Sequence, residues 1–107
     1  MGHPGEFELL ILLAVLRLGD GAYGVTIREE LEGETSRTLD LGSVYKTLGR
    51  LEGKGHLQSR MGPPTAERGG RRKKLYLVTA MGLEVAQRSL GDLRRLTKGM
   101  EPELGLT

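Results

Sequence analysis

Residues Phe7–Leu18 read FELLILLAVLRL, and this run restricts the possible folds more than any other part of the chain. It is leucine-rich and has no breaker, so it predicts a helix. Its apolar residues go nearly all the way round, with Glu8 and Arg17 as the only polar interruptions. A helix of this kind must be covered on more than one face. A domain of 107 residues buries only about 65% of its unfolded surface. Two arrangements follow, and they are compatible. The helix lies at the centre of its own core, or part of it, with Leu9 and Leu13 as candidates, packs against a second subunit. The unbroken apolar stretch Leu9–Leu16 is 8 residues, well short of the roughly 20 needed to span a bilayer. No basic cluster precedes it as in a signal peptide, so a cytoplasmic location is expected. The chain has no Cys and only two His, His3 and His56, so no disulfide, metal or cofactor is expected.

The rest of the chain is punctuated by an unusually high count of 17 glycines. Gly19-Asp20-Gly21 ends the first helix. A second helix is predicted from Ala22 to about Glu34, with Tyr23, Ile27 and Leu31 on one face and Gly24 suggesting a close helix approach. Thr38–Asp40 is expected to form a very short strand. Asp40 then caps a third helix, from Leu41 to Gly53 or Lys54. Gly55 stops it, and His56–Met61 and Lys73–Val78 alternate as two strands of an antiparallel hairpin with a long tip. Thr79 caps a fourth helix running to about Lys98, in which Leu83, Ala86, Leu90 and Leu93 step by 3, 4 and 3. That seam suits helix pairing in a dimer, or packing on its own domain. Residues 101–107 are expected to fray.

Net charge is only +2, but it is distributed unevenly. Residues 1–42 carry −5, residues 43–74 carry +7, and residues 75–107 balance. A basic middle on a near-neutral chain points to a local polyanion contact. On the third helix, Leu41, Val44, Leu48 and Leu51 form a core-facing stripe. Ser43, Lys46, Thr47, Arg50 and Lys54 cluster on a different face, which carries hydroxyls and cations but no acid. Such side chains suit base edges and phosphates, although they also suit a solvated surface. Near the hairpin tip, Arg68, Arg71, Arg72, Lys73 and Lys74 repel one another, a conflict that an anionic backbone and its neighbouring minor groove would resolve.

Helix, helix, short strand, helix, hairpin, helix is the order of a winged helix-turn-helix. The expected fold class is mainly α with a small β-hairpin, followed by a C-terminal dimerisation helix. The expected division is a DNA-binding domain over 1–78, a dimerisation helix over 79–100 and a tail over 101–107. The sequence resembles the PadR-like transcriptional regulators. The resemblance rests on the leucine-rich opening, Tyr23-Gly24 with Ile27, Gly42-Ser43-Val44-Tyr45 with Leu48, Arg50 and Leu51-Glu52, and Gly55. It extends through the wing Arg68-Gly69-Gly70-Arg71-Arg72-Lys73 to Tyr76 and Thr79-Ala80-Met81-Gly82. It covers roughly residues 7–82. It implies a cytoplasmic homodimer that binds an operator in double-stranded DNA, usually as a repressor. By that resemblance the third helix enters the major groove, with Ser43, Tyr45, Lys46, Thr47 and Arg50 facing DNA, the wing tracks the backbone, and the last helix builds the dimer. Having a single C-terminal helix, the chain looks like the short-form members. A small-molecule effector is expected only as a class. Some relatives stack aromatic drugs between tryptophans, and this chain has none; its aromatics are Phe7, Tyr23, Tyr45 and Tyr76.

The rival expectation is a winged-helix interaction module whose basic wing docks an acidic protein. An enzyme is disfavoured, because no Ser/His/Asp set, metal-ligand spacing or phosphate loop is present and His56 suits a turn better than a base. RNA binding is disfavoured because Tyr76 is the only aromatic on the strands that could stack a base.

Overall fold

The computed structural model describes residues 4–64 and 72–106. The elements are α1 (Glu6–Leu18), a 3-10 turn (Gly19–Gly21), α2 (Gly24–Glu34), α3 (Leu41–Gly53), β1 (Leu57–Met61), β2 (Lys74–Val78), α4 (Ala80–Thr97) and α5 (Glu101–Leu104). The two strands pair antiparallel, with Leu57 opposite Val78, Ser59 opposite Tyr76 and Met61 opposite Lys74. The chain is therefore mainly helical with a small hairpin. Among the described residues no helix is long and apolar enough to cross a membrane.

α1 runs through the middle of the core. Ile11, Leu12, Ala14 and Val15 are essentially inaccessible, and only Leu16 among its large apolar residues is exposed. The core stripe of α3 meets them, with Val44, Leu48 and Leu51 fully buried, and Ile27, Leu31, Leu57, Tyr76 and Ala86 complete the cluster. Gly55, at φ 80°, turns the chain out of α3 in a conformation that other residues rarely adopt.

Three local expectations need correction. α2 starts at Gly24 rather than Ala22. Ala22 and Tyr23 stay extended because Tyr76 N–H donates to the Ala22 carbonyl at 2.8 Å and Tyr23 N–H donates to Thr26 Oγ1 at 3.0 Å. Thr38–Asp40 forms no strand. Leu39 N–H donates instead to Glu32 Oε2 at 2.8 Å, and it is Ala22 that reaches β2. The C-terminal segment carries one more helical turn, α5, in place of a frayed end. Pro102 sits in its first turn, where its fixed φ suits a helix start, and Gly99 N–H donates to Glu101 Oε1 at 3.0 Å.

α4 is anchored at one end. Thr79 Oγ1 accepts from Gly82 N–H at 3.0 Å, closing the expected cap, and donates to the Gly55 carbonyl at 2.6 Å. Thr79 N–H donates to His56 O at 3.1 Å. Only Gly82, Val85 and Ala86 of this helix are buried.

Candidate nucleic-acid interface

The candidate interface starts at the cap of α3. Asp40 Oδ2 accepts from both Ser43 N–H and Ser43 Oγ at 3.2 Å, so this hydroxyl is held at the helix entrance. Ser43, Tyr45, Lys46, Gly49 and Arg50 are exposed. Tyr45 lies across Gly24: a Cβ there would sit 2.4 Å from Tyr45 Cε1 and 2.6 Å from its hydroxyl. The close approach expected at Gly24 is therefore made by the Tyr45 ring of α3, which stays 48% exposed. Lys46 makes no ion pair among the described residues.

Thr47 does not belong to this face. It is 2% exposed, and its hydroxyl accepts from Arg50 Nη2 at 3.2 Å. At about 100° per residue it stands roughly 40° from Leu51, at the edge of the core stripe. Lys54 is also engaged within the chain. Its Nζ donates to both carboxylate oxygens of Glu8 at 3.0 and 3.1 Å, and Arg50 Nε lies 3.5 Å from Glu8 Oε2.

The described wing cations are similarly tethered. Arg72 Nε donates to the Gly62 carbonyl at 2.7 Å and ties the base of the wing. Lys73 Nζ sits over the Tyr23 ring, 4.7 Å from its centroid. Lys74 Nζ lies 3.4 Å from Glu52 Oε1 and 5.7 Å from the Tyr76 ring centroid. Arg68 and Arg71 lie outside the described residues. Glu52 also accepts from Ser59 Oγ at 2.5 Å. That bond first, then Lys74, holds its carboxyl below the ordinary glutamate value, while burial pushes the Tyr76 phenol up.

Glu8 and Glu52 are supporting residues that the sequence does not single out. The available signal for Glu8 is a lone acid inside an apolar run. Glu52 stands out in the sequence only as part of a family motif.

Of the expected dimer residues, Leu83, Leu90 and Leu93 are 41%, 41% and 52% exposed. Ala86 and Leu9 are buried in the chain's own core, and Leu13 packs partly against it. These last three positions are therefore largely or wholly covered within one subunit.

Three helices, with α3 flanked by a two-stranded wing, define a winged helix-turn-helix. Several solved structures share this architecture. A PadR family transcription regulator from hypervirulent Clostridium difficile is 27% identical with a TM-score of 0.75, covering 94% of this chain and 99% of its own. A transcriptional regulator from Clostridium thermocellum is 22% identical with a TM-score of 0.71, covering 92% and 89%. Bacillus subtilis PadR in complex with operator DNA is 23% identical with a TM-score of 0.66, covering 80% and 47%. No curated protein matches the sequence. The transcriptional regulator PadR-like family matches residues 12–88, and the chain belongs to that family.

Proposed function

We propose that this chain is a sequence-specific double-stranded DNA-binding regulator, acting as a homodimer on a pseudo-palindromic operator and repressing by occupying promoter DNA in the cytoplasm. The observation that carries this reading is the exposed face of α3, where Ser43, Lys46 and Arg50 stand together and α3 itself contributes no acid to that face, the nearby carboxylates being the Asp40 cap and Glu8 of α1. Hydroxyl, ammonium and guanidinium groups offer the donors that base edges and phosphates accept. Tyr45 supports the helix through its ring, leaving its hydroxyl available to a phosphate.

Residues 1–78 form the DNA-binding unit in this proposal, and residues 79–100 the dimerisation helix. Two copies present their third helices to successive major grooves about 34–36 Å apart. Arg72, Lys73 and Lys74, with Arg68 and Arg71 of the adjoining sequence, supply a salt-dependent term that carries little sequence information. A small-molecule effector, as a class, would act by changing the separation of the two reading helices, because that distance must match the DNA pitch.

The test is selection of bound duplexes from a random pool. The expected result is an enriched site with two-fold symmetry and half-sites one helical turn apart. No enrichment, with capture of an acidic protein instead, would overturn the proposal in favour of an interaction module. Neutralising Arg71 and Arg72 should reduce the slope of log affinity against log salt by about 1 for each phosphate that is no longer neutralised. An unchanged slope removes the wing from the interface.

A further inference from the structure

A DNA-reading face does not by itself account for the carboxylate of Glu8. This side chain is only 10% exposed, between Phe7 and Leu9 on α1. A carboxylate withdrawn this far from water is costly unless opposite charges meet it. Both opposite charges come from the end of α3, Arg50 in its last turn and Lys54 at its C-cap. Lys54 Nζ donates to the two oxygens at 3.0 and 3.1 Å, and Arg50 Nε lies 3.5 Å from one of them. Arg50 and Lys54 are four residues apart, neighbours on one helix face, so a single carboxylate reaches both. Their side chains remain 56% and 48% exposed, close to the surface assigned to DNA. The same Arg50 guanidinium donates to Thr47 Oγ1, so it is fixed from two sides.

We infer that Glu8 is a positioning residue that withholds Lys54 from the nucleic acid and aims Arg50, leaving Ser43, Lys46 and the outer edge of Arg50 to make the contacts. This rests on the proposed DNA-binding function. The physical reason is an asymmetry of environments. Moving Lys54 to an exposed phosphate leaves Glu8 buried beside one cation, and losing a buried partner costs more than an exposed ion pair returns. Of the two cations only Arg50 is then left to neutralise a phosphate, where the sequence suggests both. A protein that must discriminate gains from this, because an untethered cation strengthens binding to every sequence alike.

The test is a double-mutant cycle read out as salt dependence. Wild type, E8Q, K54M and E8Q/K54M are titrated by fluorescence anisotropy against a duplex pool of random sequence at several salt concentrations. Thermal unfolding is followed on each. K54M alone should leave the slope of log affinity against log salt unchanged. E8Q should steepen it by about 0.9, the value for one further phosphate neutralised, and the double variant should return it to the wild-type value. E8Q should also lower the preference for a selected duplex over the random pool. A slope that K54M reduces in the wild-type background overturns the inference, since Lys54 then neutralises a phosphate itself. So does an E8Q variant that binds more weakly by one common factor with its slope unchanged, which marks a purely structural residue. Lys54 is half-exposed, so K54M decides the matter even if E8Q fails to fold. Wild-type protein that binds but lacks this pattern sinks only the role of Glu8. Wild-type protein that binds no duplex sinks the DNA-binding proposal with it.

Discussion

Two glycines on α4 look interchangeable in the sequence, yet their surroundings differ. A Cβ at Gly82 would stand 2.1 Å from the His56 carbonyl oxygen and 2.9 Å from its carbon, both backbone atoms. The same carbonyl accepts from Thr79 N–H, so the turn after α3 and the start of α4 are joined where no side chain fits. A Cβ at Gly91 would meet only the Arg95 guanidinium, at 3.3 Å, the far end of a flexible chain. Replacing an interior helical glycine by alanine is worth up to about 1 kcal/mol in propensity. Overpacking against an immobile neighbour costs typically about 1–3 kcal/mol. Gly91→Ala should therefore stabilise the chain by up to ~1 kcal/mol. Gly82→Ala should destabilise it by about 2 kcal/mol, because the clash also displaces the Thr79 hydrogen bonds. Urea unfolding of the two variants measures both signs. A stabilised Gly82→Ala variant means that α4 does not approach His56 this closely.

At the scale of elements, a carboxylate adds a polar tie between the wing and α3 beside the apolar contacts of Leu57 and Tyr76. Glu52 on α3 accepts from Ser59 on β1 and faces Lys74 on β2, and these partners hold its pKa below the ordinary value near 4.5. A group whose folded value is depressed contributes stability in full above its unfolded value and loses it as pH falls through the folded one. The stability gap between wild type and Glu52→Gln should therefore be present at pH 7 and shrink below about pH 4.5, where denaturant unfolding can follow it. A gap independent of pH would mean that the charge of Glu52 does not hold the wing. The elements legible in the sequence alone are those set by local signals. These include the leucine-rich, breaker-free run of α1, the Asp40 and Thr79 caps, and the alternation of the two strands. What is not legible depends on distant partners. The Ala22 carbonyl is claimed by Tyr76, which delays α2, and Glu32 takes the Leu39 amide that a strand would have used. Thr47 falls on the wrong face in a sequence reading because a threonine is equally suited to water and to the rim of a core. Lys54 looks free in the sequence because its partner lies on another helix.

At the scale of the whole molecule, the isolated chain is too long for its size. Its radius of gyration is 15.5 Å and its extents are 53 × 29 × 21 Å, whereas a compact domain of this length has a radius near ~13 Å. α4 accounts for much of the excess. At 1.5 Å per residue it is about 27 Å long, and no residue beyond Ala86 is buried. Past that point Leu90, Leu93 and Leu96 are 41%, 52% and 71% exposed, and Met100 continues the apolar surface at 43%. An isolated helix of roughly three turns is marginal in water, so this half of α4 needs a surface to pack on. In the proposed homodimer a second copy of the same seam would meet that need. Leu90→Glu with Leu93→Glu should therefore yield a folded monomer, because both side chains are already half in water within one subunit. Sedimentation at micromolar concentration should give the wild type about twice the 11.7 kDa chain mass and the double variant a single chain mass. Unfolding of α1, α2 and α3 should shift little, while the end of α4 loses helicity. Binding to a duplex with two half-sites should fall by about 100-fold or more, since linked sites gain roughly 10²–10⁴ in avidity, while binding to a single half-site stays unchanged. A double variant that still sediments as a dimer places the subunit interface elsewhere, and equal losses on one and two half-sites mean that the two copies do not read DNA together.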